Sequence, residues 1–166
     1  MLYARKISED GWFGKDDLDS DSISELGTSN HQLSVWKIEN ICNQTDVDNI
    51  ALALAMTKSK IEELYMVFLN PSDLTSSYNW NLSFDPQDGD TRFALMKKEH
   101  TNIVVKSIWE QGFLSEYIHG LIKDAKNYIY YDVIELKRLF LDAYKAKKIP
   151  EEGLDGQWKK AIKDIK

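Results

Sequence analysis

The sequence predicts one α+β domain over residues 1–166, with a small three- to four-stranded sheet from the N-terminal half and three to four helices from the C-terminal half. Three observations carry this expectation. Up to residue 84 the candidate elements alternate strand, helix, strand, helix, strand, as a small sheet with helices packed on it would require. From Thr91 the hydrophobic repeat lengthens to a helical one. Charge divides at the same place: residues 1–90 hold six Lys/Arg against sixteen Asp/Glu, and residues 91–166 hold fifteen against eleven. An acidic α/β front thus leads into a mildly basic helical back, an asymmetry that points to an interaction surface.

Leu2–Ile7 reads as the first strand, closed by Glu9-Asp10-Gly11. A loop with Trp12 and Phe13 leads to a short helix over Ser20–Leu26, which Gly27 ends. Gln32–Ile38 sets Leu33, Val35, Trp36 and Ile38 among polar residues and forms the second strand. Thr45 with Asp48 three residues on opens a helix whose Val47, Ile50, Ala51, Leu54 and Ala55 share a face. Leu64–Leu69 is nearly all apolar, the mark of a central strand, and Asn70-Pro71-Ser72-Asp73 stops it. Residues 71–90 read as a loop, with a short edge strand where Tyr78, Trp80, Leu82 and Phe84 alternate.

The back half is expected to be helical. Phe93, Met96, His100, Ile103, Val104, Ser107 and Ile108 fall on one stripe that Gly112 ends. Phe113, Leu114, Tyr117, Ile118, Leu121, Ile122 and Ala125 form a second stripe. Asp132–Lys147 forms a third helix with Val133, Leu136, Phe140, Ala143 and Tyr144 inward, and a tail carries Trp158, Ile162 and Ile165. Val35, Ile50, Leu54, Val67, Leu69, Ile103, Ile118 and Phe140 are expected in the core.

Composition narrows the function classes. Apolar residues make up 43% of the chain, which excludes general disorder. The single cysteine, Cys42, excludes an internal disulfide framework and any multi-cysteine zinc site, and is expected to be a buried thiol. The N-terminal residues lack a leader-like apolar stretch and no run is long enough to span a bilayer, so a cytoplasmic protein without a membrane partner is expected. The acidic balance counts against nucleic acid as a direct partner, despite Lys145, Lys147, Lys148, Lys159, Lys160 and Lys163 near the C-terminus.

No catalytic or cofactor fingerprint is present, and neither metal nor cofactor is expected. Asp17-x-Asp19-x-Asp21 copies the first ligand positions of a calcium loop, but Ser22 stands at the turn glycine and Thr28 at the closing glutamate. A helix cap at Ser20 or Asp21 explains the run more simply. Asp85, Asp88 and Asp90, with Glu99 and His100 downstream, could hold magnesium, yet Asp90 before Thr91 reads better as a helix cap. His100, on an apolar stripe, reads as a hydrogen-bonded core histidine, and His119 as a surface or helix-end residue. An alternative reading is a nucleotide-binding or ADP-ribosyl-transfer-type enzyme with a cleft around Tyr3, Arg5 and Glu99.

Asp21–Ile38 contains Ser22-Ile23, Leu26, Thr28, Asn30 and then Leu33-Ser34-Val35-Trp36, after the first strand Leu2–Ile7 and Trp12. These first forty or so residues resemble a group of small uncharacterised bacterial proteins with a Tyr/Arg first strand and an Asn-x-x-Leu-Ser-Val-Trp-like segment. The resemblance implies a compact bacterial protein and no particular activity. The expected function is a non-enzymatic protein-binding module: an immunity- or antitoxin-like protein, or an accessory subunit of a toxin or defence complex. Its partner is expected to be another, basic protein, met by Trp12 and Phe13 as anchors and by Asp16, Asp17, Asp19 and Asp21.

Overall fold

The computed structural model describes residues 1–26 and 31–163. The expected Gly27 stop, Thr28, Asn30 and Ile165 lie outside the described residues. Six strands, β1 (Leu2–Ile7), β2 (Gln32–Ile38), β3 (Leu64–Leu69), β4 (Phe84–Pro86), β5 (His100–Val104) and β6 (Tyr128–Tyr131), form one sheet. Their order is β4-β5-β2-β1-β3-β6, and every neighbouring pair is antiparallel. The helices are α1 (Glu9–Trp12), α2 (Ser20–Glu25), α3 (Gln44–Ala55), α4 (Pro71–Tyr78), α5 (Ile108–Ile122), α6 (Val133–Lys145) and α7 (Gly156–Lys163).

The expected three- to four-stranded sheet is therefore corrected to six strands, and the back half supplies two of them. The stripe expected to carry a helix from Thr91 to Gly112 divides into a 3-10 turn (Ala94–Glu99) and β5. Thr101, Ile103 and Val104 are β-branched and favour a pleated surface. Pairing from Trp36↔His100 to Gln32↔Val104 then satisfies the far edge of β2. The helix starts only at Ser107, whose side chain and Glu110 form a reciprocal cap, and it continues through Gly112. Asn70-Pro71 starts a helix as well as stopping a strand, because Asn70 accepts from the Ser72 amide and Pro71 occupies the first turn. Asn43, not Thr45, caps α3. The edge strand expected within 78–84 begins at Phe84.

Helices cover both faces of the sheet. On one face Ala4, Trp36, Ile38, Leu64, Met66 and Phe68 pack with α3, α6 and α7 around Phe140 and Trp158. On the other, Tyr3, Ile7, Leu33, Val35, Val67, Leu69 and Ile103 pack with Trp12, Leu74, Leu114 and Ile118. All eight expected core residues are buried. One irregularity positions a site. The β1–β2 ladder runs only from Leu2↔Ile38 to Ala4↔Trp36, while β1 stays paired with β3 as far as Ile7↔Tyr65. Beyond Ala4 and Trp36 the two central strands form a fork.

Candidate functional site

The first region lies beside the acidic loop. Asp16 and Asp17 line a groove of about 640 Å³ with Tyr78, Glu116, Tyr117 and Lys123. Asp19 is not free to join them. Its Oδ1 accepts the Asp21 and Ser22 amides at 3.0 and 3.1 Å, capping α2, and its Oδ2 meets Lys15 Nζ at 2.5 Å. The hydrogen bond from Lys15 holds the Asp19 carboxyl down to about 2, with the Ser22 amide assisting. Asp21 lies in the first turn of α2, 3.9 Å from the same ammonium. Among the described residues no group of three or more His, Cys, Asp or Glu is placed to hold a metal ion.

The two expected anchors both pack against the interior, Trp12 fully and Phe13 in part. Trp12 is 1% exposed, with its indole N–H donating to Glu25 Oε2 at 2.9 Å. Phe13 packs between Tyr65 and Tyr128, at ring distances of 4.7 and 5.0 Å. Burial of its large apolar surface takes Trp12 out of contact in this conformation, while Phe13 stays half-buried. The exposed tryptophan is Trp109, 75% accessible beside Ile108 at 64%, where α5 begins. Spacings of seven, eleven and fourteen residues place Glu116, Gly120 and Lys123 below Trp109 on one line of the helix. The stripe therefore runs from an apolar tip into the acidic groove. Gly112 and Gly120 leave open space where side chains would stand. Each costs roughly 1 kcal/mol relative to alanine in a helix, with no internal packing to account for it. Tyr117 completes the groove wall, its hydroxyl donating to Asp73 Oδ2 at 3.1 Å; burial pushes it to about 12, so it stays neutral.

The second region is the fork. Arg5 enters it and donates from Nη1 to the Ser34 carbonyl at 2.9 Å, in place of the ladder that has ended. Its Nε is buried without a partner, and burial lowers the guanidinium pKa. A cleft of about 780 Å³ opens there, lined by Arg5, Lys6, Glu25, Ser34, Asp88, Asp90, His100 and Asn102 among others. His100 is 9% exposed and both ring nitrogens are engaged: Nδ1 with the Gln87 carbonyl at 2.9 Å and Nε2 with Ser34 Oγ at 2.7 Å.

This arrangement separates the residues of the enzyme alternative. Arg5 lines the cleft, but Tyr3 is buried against the opposite helical layer and stacks on Phe84 at 4.6 Å. Glu99 lines a different groove with Lys37, Glu39 and Asp46. Asp85 accepts from Gln32 and Gln87 at 2.6 and 2.7 Å. Asp90 does not cap the next helical turn, which begins at Ala94 behind Phe93 without a side-chain cap, and the Thr91 hydroxyl donates to the Ala53 carbonyl at 2.8 Å. Two further expectations change in whole or part: Cys42 is exposed, and His119, in the last turn of α5 as a helix-end residue, is buried. Ser34 and Trp109 were missed. Ser34 has no sequence signal linking it to a histidine 66 residues away. Trp109 had one, because it falls opposite the Leu114–Ile118 core stripe.

Comparison with models of protein families, with curated proteins and with solved structures finds no match. Among the described residues no helix is long and apolar enough to cross a membrane.

Proposed function

We propose that the chain is a protein-binding module that docks a basic protein along the outer stripe of α5, with Trp109 as anchor. The observation that carries this is a tryptophan left 75% exposed on a helix whose same line continues into the groove of Asp16, Asp17 and Glu116. Large aromatics held in water at such a position act as interface anchors, and carboxylates beside them steer and receive cationic side chains. The two stripe glycines admit a partner close to the helix backbone. A second exposed apolar group is formed by Tyr130 in β6 with Val133 and Ile134 at the start of α6, where the Tyr130 hydroxyl already engages Glu63 Oε2 at 3.1 Å. The module is read as a bacterial, cytoplasmic immunity- or antitoxin-like protein, or an accessory subunit of a toxin or defence complex; its size, its exposed aromatic anchor and its acidic groove support that role.

The test uses the wild-type chain and Trp109→Ala as baits in the native host, with mass spectrometry and matched melting curves. A basic protein should be retained by the wild type and reduced at least about 30-fold by the variant, the effect of losing roughly 2 kcal/mol at a hot spot. Asp16→Asn with Asp17→Asn should slow association more at low salt than at high salt. Equal retention by folded Trp109→Ala removes the α5 stripe as the docking surface.

A further inference from the structure

We propose that Ser34 is a nucleophile and that the fork cleft carries out acyl transfer from small esters bearing an ammonium group. This activity lies beyond protein binding and does not rest on it. Elementary hydrogen-bond chemistry assigns the protons. The Gln87 carbonyl can only accept, so His100 Nδ1 carries hydrogen, and the tautomer that leaves a lone pair at Nε2 is the one that serves as base. Ser34 Oγ, 2.7 Å away, then donates its proton to that nitrogen. Nucleophile, base and a group orienting the base are thus in the relation that serine catalysis requires, with a main-chain carbonyl in the orienting place.

The surroundings hold this geometry. Trp36 packs edge-on to the His100 ring at 5.2 Å. Arg5 fixes the Ser34 carbonyl. Asn102 stands directly opposite Ser34 across the β2–β5 ladder, and among the described residues its Nδ2 has a single, long contact, 3.4 Å from Gln32 Oε1. That amide is the donor in place to receive an oxyanion. Glu25, Asp88 and Asp90 line the same cleft against Arg5 and Lys6, and this carboxylate excess favours both a cationic substrate group and the imidazolium formed in the transition state.

Ser34 Oγ bonds to the acyl carbon as its proton passes to His100 Nε2. The leaving alcohol takes that proton as its C–O bond breaks. Water then adds to the acyl-serine, its proton going to Nε2, and the acid departs as Ser34 Oγ regains that proton.

The experiment treats the full chain with an alkyl fluorophosphonate and locates the adduct by mass spectrometry, alongside release of p-nitrophenol from alanine p-nitrophenyl ester and from p-nitrophenyl acetate. One adduct on Ser34 is expected, absent in Ser34→Ala and formed at least about 100-fold more slowly in His100→Gln. The alanine ester should turn over faster than the acetate. Should either variant fail to fold by thermal melting, Asn102→Ala serves instead and should lower ester turnover about 100-fold. No Ser34 adduct on folded wild type, or equal labelling of His100→Gln, overturns the assignment of the nucleophile. Faster turnover of the acetate overturns the substrate class.

Discussion

Replacing Glu25 with alanine should destabilise the chain by about 2–3 kcal/mol, and the structure says which donor is responsible. The carboxylate accepts the Ser8 amide at 3.2 Å, the Ser8 hydroxyl at 2.5 Å and the Trp12 indole at 2.9 Å. Ser8 is exposed and can turn to water. Trp12 is 1% exposed and cannot, so its N–H is left unsatisfied. A buried donor in that state costs about 1–3 kcal/mol, and loss of charge-assisted bonds brings the total to the upper part of that range. For a chain of 166 residues this is a fall of roughly 4–12 °C in Tm. Urea unfolding followed by tryptophan fluorescence measures the free energy directly. Trp12→Phe removes the donor, so adding it to Glu25→Ala should cost less than it does in the wild type. The reasoning is refuted if Glu25→Ala lies within about 0.5 kcal/mol of wild type, or if the two changes are strictly additive.

Gly89→Ala should cost about 1–3 kcal/mol by urea unfolding, because a Cβ there would stand 2.4 Å from Trp36 Cη2 and 2.9 Å from His100 Cβ. Neutral tolerance would mean that the buried Trp36 ring can shift. Asp19 has a folded pKa of about 2, depressed from 3.8, so its contribution to stability is present above 3.8 and is lost as pH falls through about 2. Lys15→Ala should return the Asp19 titration towards 3.8 in a carboxylate NMR experiment, and an unmoved titration would show that the α2 amides alone hold it down.

Much of the packing was legible because it depends on local pattern. Val35, Val67 and Leu69 had to be inside, and Asp132 had to open a helix, whatever the topology. What escaped was decided by distant partners. His100 and Ile103 sit at helical spacing with Phe93 and Met96, so periodicity favoured a helix; the unpaired edge of β2 made that segment a strand. Tyr128–Tyr131 is only four residues long between two helices, too short to register as alternation, yet it closes the other side of the sheet against β3. Trp12 and Trp109 have the same chemistry; the helical stripe marks Trp109 as outward, but only the fold tells that Trp12 finds a carboxylate and a core. Of the candidate sites, Asp16 and Asp17 could be read from composition. The Ser34–His100 pair could not, since it exists only once β2 and β5 are in register.

The helix α2 links the two proposed sites, which otherwise lie on different faces of the sheet. Gln111 on α5 donates from Nε2 to the Ile23 carbonyl at 2.6 Å. Two residues later Glu25 forms part of the fork cleft and clasps Ser8 and Trp12. Asp19 fixes the start of the same helix and carries the loop that lines the acidic groove. Position between two sites is not itself coupling; coupling requires that α2 move as one body. A six-residue helix capped at one end and clasped at the other has little freedom to do otherwise. Gln111→Ala and Glu25→Ala should therefore interact, with a coupling energy between about 0.5 and 3 kcal/mol in a double-mutant cycle. Strict additivity would make α2 two independent attachments, and a partner bound on α5 would then have no route through this helix to the cleft.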